Sequence, residues 1–327
     1  MSTAARRLVT ALLLGVLLYG VAIVYTGLGA IYDTLGTFAW SAMLAAVALA
    51  TANYLLRFFR WQYYLRLLDV RGVAWTDSLL VFLSGFVLTI TPGKVGEIFK
   101  SAVLEQTHGV PIQRTAPVVV VERMSDLIGV VFLILVGSAG FKSGLPWALA
   151  GAAAVLVGFV VILWEKPSRL LLDWLAQHHR FSRFEPKLRE AFASLRMLSN
   201  PRTLPYPLVL SIAAWACEGI SLWVLLRGFG ARAPVILSVF FYETASLAGA
   251  LIPVPGGLGI VEAMLREQLV HLGGVPAAAA TASMILVRFA TLWWAVLVGF
   301  AALGILRQRF PRLRGVDPAA ETARPAV

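Results

Sequence analysis

The sequence predicts an all-α polytopic membrane protein, with about six full transmembrane helices plus two inverted re-entrant helical hairpins carrying Pro-Gly breaks. Three observations predict it. Of the 327 residues, 59% are hydrophobic and only 14% charged, whereas a soluble domain carries about 25% charged residues. Several apolar runs approach or exceed the ~20 residues that span a hydrocarbon core. Two shorter apolar runs stop at Thr91-Pro92-Gly93-Lys94-Val95-Gly96-Glu97 and at Pro253-Val254-Pro255-Gly256-Gly257-Leu258-Gly259-Ile260-Val261-Glu262.

The net charge of +11 does not point to nucleic acid, because the basic residues sit mainly where apolar runs end, as the positive-inside rule requires. The lone Cys217 excludes a disulfide within the chain. His108, His178, His179 and His271 form no metal-ligand spacing. No nucleophile–base pair or nucleotide-binding glycine loop is present. No metal and no cofactor are expected.

Arg6-Arg7 precede the first predicted span, Leu8 to Leu28, which is longer than the h-region of a cleaved signal. The N-terminus is therefore expected in the cytoplasm. Residues 29–37 contain no Lys or Arg and read as an outer loop. Phe38 to Leu56 returns inward and is followed by Arg57, Arg60, Arg66 and Arg71. Asn53, Arg57 and Arg60 lie at i, i+4 and i+7, one helix face. That face reads either as side chains snorkelling to headgroups or as a basic approach to a polar cavity.

Leu79 to Ile90 is 12 residues, or ~18 Å of helix at ~1.5 Å per residue. That is short of the ~30 Å core. Pro92 disfavours helix at Thr91, and Gly93 permits a reversal. The reading is a hairpin that turns within the membrane, where its backbone must be buried or line a wet cavity. Thr115 to Ala139 is long enough to span but contains Glu122, Arg123 and Asp126. Glu122 and Asp126 share a face, and Arg123 and Asp126 can pair. Facing lipid, each would cost roughly 2.5–3.5 kcal/mol, so they must face protein or water, as an ion cluster or as a functional site.

Trp147 to Trp164 is the fourth span. Lys166 to Arg202 then carries eight Lys/Arg against three acids, with Phe181, Phe184, Leu188, Phe192 and Leu195 at helical spacing. This linker, residues 165–203, reads as an amphipathic helix on the anionic inner leaflet or packed under the bundle. Leu204 to Leu226, carrying Glu218, runs outward. Val235 to Ile252, carrying Glu243, leads to the second break and to Glu262. Pro276 to Leu306 runs inward with Arg288 inside it, and four arginines from Arg307 to Arg314 mark a cytoplasmic C-terminus. Residues 1–310 form one membrane domain and residues 311–327 a disordered tail.

An internal repeat ties the two breaks together. Gly109-Val110-Pro111 recurs as Gly274-Val275-Pro276, and 12 residues separate Pro111 from Arg123 and Pro276 from Arg288. Pro92 precedes Arg123 by 31 residues and Pro255 precedes Arg288 by 33. The repeats, approximately residues 76–139 and 234–306, have opposite predicted orientation, a recurring transporter plan. Half-helix N-termini favour anions. With Lys94, Arg123 and Arg288 they would suit a phosphate or carboxylate, with Glu97, Glu122, Asp126 and Glu262 balancing charge or engaging an amine.

These residues carry a resemblance. The two Pro-Gly stretches and Val120-Val121-Glu122-Arg123-Met124-Ser125-Asp126 resemble the flippase-like family, the transmembrane region of lysylphosphatidylglycerol synthases, also termed multiple peptide resistance factors. The likeness covers about residues 8–306. It implies a membrane domain that moves phospholipids between leaflets of the cell membrane, with Lys94, Glu97, Glu122, Arg123, Asp126, Glu262 and Arg288 lining a polar cavity. Lys94 stands where the family pattern more often has arginine, and lysine lacks arginine's bidentate grip on phosphate. About 20 residues follow the last predicted span, so the synthases' aminoacyl-transferase activity is expected to be absent. Membrane phospholipids are the expected partners, and a homo-oligomer is compatible with the reading. The alternatives are a protein handling polyprenyl-linked sugars, or a small-solute secondary transporter.

Overall fold

In the computed structural model, residues 17–89, 97–138, 185–200, 202–252 and 254–315 are described, together with residues 15, 149 and 153. The elements are helical throughout. They are α1 (Leu17–Thr26), α2 (Leu28–Gly36), α3 (Trp40–Leu67), α4 (Trp75–Ser84), α5 (Phe99–His108), α6 (Ile112–Ser138), α7 (Glu185–Leu198), α8 (Pro205–Gly228), α9 (Val235–Leu251), α10 (Ile260–Glu267) and α11 (Ala277–Arg309). A 3₁₀ turn, Gly85–Leu88, extends α4, and a π-helical stretch, Phe289–Trp293, interrupts α11.

Local chemistry sets several boundaries. Pro205 opens α8 in its first turn, where a missing N–H costs nothing. Gly109 closes α5 in the left-handed region at φ 70°, the usual glycine stop. α3 runs well past the predicted end at Leu56. Its C-terminal part carries Arg57, Arg60, Trp61 and Tyr64, all buried, so Arg57 and Arg60 are held inside the bundle while Arg66 is exposed.

The predicted count of six spans and two inverted re-entrant hairpins is not what the structure shows. Among the described residues, three helices are long and apolar enough to cross a membrane: α3, α8 and α11, of 28, 24 and 33 residues. The bent pair α1–α2 makes a fourth if it is taken as one span. α6 has 27 residues, but Glu122, Arg123 and Asp126 interrupt its apolar stretch, so it fails on composition rather than on length. The runs ending at the two breaks form only short apolar helices, Trp75–Leu88 and Val235–Leu251. The sharp turn lies elsewhere, inside the predicted first span. α1 and α2 meet at 92° across Gly27, whose φ of 99° is open to glycine and strained for other residues. α2 occupies the stretch expected as an outer loop.

Several predicted features lie outside the described residues: Arg6-Arg7, the first break with Pro92, Gly93 and Lys94, the run 147–164 apart from Leu149 and Ala153, the basic stretch 165–184, and the tail from residue 316. The second break is described at Pro255 and Gly256, in a 3₁₀ turn, Pro255–Gly257. Of the linker, α7 is described. Its Leu198 is fully buried, and Leu195 packs on the core.

Two apolar cores flank the middle of the molecule. One gathers the start of α3 with α8, α9, α10 and the first half of α11, around Leu222, Phe241 and Leu265. The other gathers the end of α3 with α4, α5, α6 and the far half of α11, around Trp61, Val103 and Val118. Close approach brings α8 and α9 together: a Cβ on Gly219 would stand 2.8 Å from the Val239 Cα. That contact fixes the register between Glu218 on α8 and Tyr242 on α9.

Candidate functional site: a charged cavity between the two cores

The charged side chains of the first half condense into one buried cluster. Asp126 is its hub. Its Oδ2 faces Arg57 Nη2 at 3.2 Å, and Arg60 Nη1 donates to its Oδ1. Ser211, from α8, donates to the same Oδ1 at 3.4 Å. Arg123 donates to Glu97 Oε2 and stands 3.6 Å from Asp126. Arg57 also lies 3.8 Å from Glu97. Lys100 donates to Glu122, and its ammonium sits 4.5 Å from the Trp61 ring centre and 5.2 Å from that of Phe82, a cation–π arrangement.

Glu97, Glu122, Asp126, Arg57, Arg60 and Lys100 are all buried, whereas the Arg123 side chain keeps 25% of its surface exposed. Among the described residues, four cations meet three acids in this cluster. Buried charges persist only when paired and hydrogen-bonded, and each of these acids faces at least one of the cations.

The second half supplies a smaller arrangement. Arg288, on α11, donates through Nε to Glu262 Oε1 and through Nη2 to the Gly256 carbonyl, each at 2.6 Å. Glu262 uses its other oxygen to accept the Gly259 N–H at 2.7 Å, capping α10. Glu97 precedes Arg123 by 26 residues, and Glu262 precedes Arg288 by 26 residues. The repeated spacing therefore ends, twice, in a formed Glu–Arg pair.

Both arrangements border one cavity of about 330 Å³. Its charged lining is Arg57, Arg123, Asp126, Glu218 and Arg288, and Tyr54, Tyr242 and Thr291 add hydroxyls. That volume is near the lower end of the ~300–1,000 Å³ of ligand pockets, room for a polar headgroup but not for acyl chains as well. Among the described residues, no three His, Cys, Asp or Glu side chains are grouped to hold a metal ion.

The site residues read from the sequence divide accordingly. Arg123, Asp126 and Arg288 line the cavity, with Glu97 and Glu262 behind them as pairing acids. Glu122 turns away to Lys100. Of the proposed approach, Arg57 reaches the cavity and Arg60 is fully buried against Asp126. Asn53 is bound to the Ala214 carbonyl at 2.8 Å. Gly256 lends its carbonyl and lines the cavity. Lining residues not singled out from the sequence include Tyr54, Glu218, Tyr242 and Thr291. The signal for Glu218 was a lone acid deep in an apolar run.

A bundle of long apolar helices around an ion-lined chamber defines a multi-pass membrane protein. The chain belongs to the family of the lysylphosphatidylglycerol synthase transmembrane region, whose model matches residues 9–299. It is a lipid-handling, flippase-like membrane protein by that membership. Curated relatives are archaeal. A UPF0104 membrane protein of Methanocaldococcus jannaschii is 23% identical over 221 residues, 65% of this chain and 91% of the relative. One of Methanothermobacter thermautotrophicus is 24% identical over 316 residues, 89% of this chain and 93% of the relative. One of Pyrococcus horikoshii is 23% identical over 286 residues, 79% and 84% of the two chains.

Proposed function

We propose that the protein carries the headgroup of an anionic or aminoacylated phospholipid between the leaflets of the cell membrane, with both termini in the cytoplasm. One observation carries the reading: three arginines from three helices, Arg57, Arg123 and Arg288, border a single chamber of headgroup size within an apolar bundle. Guanidinium groups bind phosphate through paired N–H donors, and in a membrane interior such a charge is retained for a purpose. The acyl chains stay in lipid while the headgroup crosses.

Reconstitution tests this directly. Vesicles containing the protein and a fluorescent phosphatidylglycerol should exchange that lipid between leaflets faster than protein-free vesicles. Arg123→Gln and Arg288→Gln, checked for intact folding by gel filtration, should each lower the excess rate by about 10-fold or more, the loss of one charge-assisted contact. Wild-type rates in both variants would remove the arginines from the mechanism. No excess exchange for any of several headgroups would remove the function.

A further inference from the structure

Two carboxyl groups, Glu218 at the cavity and the buried Glu243 on α9, differ from the rest. Glu97, Glu122, Asp126 and Glu262 each face an arginine or lysine. Glu218 and Glu243 form no ion pair among the described residues. Glu218 lines the cavity, and its Oε2 accepts the Tyr242 hydroxyl at 2.7 Å. Glu243 is 0% exposed, and among the described residues neither carboxyl oxygen has a hydrogen-bond partner. It lies on α9 in line with Leu247 and Ala250, at i+4 and i+7, both of which border the cavity.

Among the described residues, Glu243 has no ion-pair partner, and the charged groups acting on it are acids. α8 brings Glu218, and α6 brings Asp126, which is committed to Arg57 and Arg60. α10 brings Glu262, committed to Arg288. The Pro255–Gly257 turn has no titratable side chain. An isolated carboxylate cannot be kept ionised in such a place at tolerable cost, whereas the neutral acid can be accommodated.

Tyr242 supplies a relay that tolerates both forms of Glu218. Its one hydroxyl hydrogen has two acceptors in reach, Glu218 Oε2 at 2.7 Å and Thr291 Oγ1 at 3.3 Å. When Glu218 is ionised, the phenol donates to it. When Glu218 carries a proton, the acid donates to the phenol oxygen and the phenol turns to Thr291. In either state each hydroxyl hydrogen of the network has an acceptor, with one bond made when Glu218 is ionised and two when it is protonated.

We propose that Glu218 and Glu243 form a proton-binding pair linked to the cavity, so that an anion held by Arg57, Arg123 and Arg288 is accompanied by a proton. The linkage rests on the lipid-translocation reading; the proton site itself does not. Adding an anion to the chamber favours the neutral acids beside it, and by reciprocity protonation favours the anion.

Two measurements decide it. Infrared difference spectra of the purified protein across a pH series should contain a protonated-carboxyl carbonyl band that is missing from Glu243→Gln and altered in Glu218→Gln. Identical spectra in all three proteins would overturn the proton site. In vesicles, one proton per lipid would let a one-unit pH difference bias the leaflet distribution of phosphatidylglycerol by up to about 10-fold. The bias should vanish in Glu243→Gln. Exchange that ignores the gradient in wild type, or follows it equally in the variant, would overturn the linkage. Should wild type move no lipid at all, the translocation reading falls, while the infrared band still decides the proton site.

Discussion

The pairs Glu97–Arg123 and Glu262–Arg288 have the same 26-residue spacing and border the same cavity, yet their settings differ. The first is one strand of a net. Arg123 has Asp126 as a second acid at 3.6 Å, and Asp126 in turn serves Arg57 and Arg60. The second stands alone. Its Arg288 side chain is 7% exposed and its glutamate 3%, and its other contacts go to backbone and to the Tyr19 hydroxyl. Charge in the first unit is shared, so any one member can shift its partners. Charge in the second is balanced by a single ion pair among the described residues.

That contrast can be broken by substitution. Arg288→Met is expected to have the largest effect, because it leaves Glu262 as a buried acid with no cation among the described residues. Removing one partner of a buried pair costs about 3–5 kcal/mol, and chemical denaturation in detergent should show a loss of that order. Asp126→Asn comes next. It deprives fully buried Arg60 of its acid, yet Ser211 and the amide oxygen remain as acceptors, so the expected loss is about 2–3 kcal/mol. The smallest effect is expected from Glu97→Gln, about 1 kcal/mol, because Arg123 keeps Asp126 and some solvent. A Glu97→Gln loss as large as that of Arg288→Met would show that the first cluster shares no load.

The sequence made part of this visible. Three charges inside an otherwise apolar run could not face lipid, and Glu122, Arg123 and Asp126 are indeed turned toward protein. The recurring Gly-Val-Pro spacing marked Arg123 and Arg288 as equivalent, and both reach the cavity. Spacing along one helix could not show that Glu122 and Asp126, although on one face, would be divided between Lys100 and the arginines of α3. Lys100 reaches Glu122 from another helix, 22 residues away, a match that depends on how α5 meets α6.

The span count failed for a related reason. Apolar length was read as crossing, but the charges that build the site also remove α6 from the apolar helices. The bend at Gly27 broke a run that had no internal charge to warn of it. Glu218 and Glu243 were visible only as lone acids in apolar stretches. That neither has an ion-pair partner among the described residues is a property of three dimensions.

Glu262 divides its two oxygens between the first turn of α10 and the guanidinium of Arg288. An anion that competed for Arg288 would therefore loosen the carboxylate that also secures that helix's leading edge. The chamber's Arg288 and the first turn of α10 thus share one carboxylate.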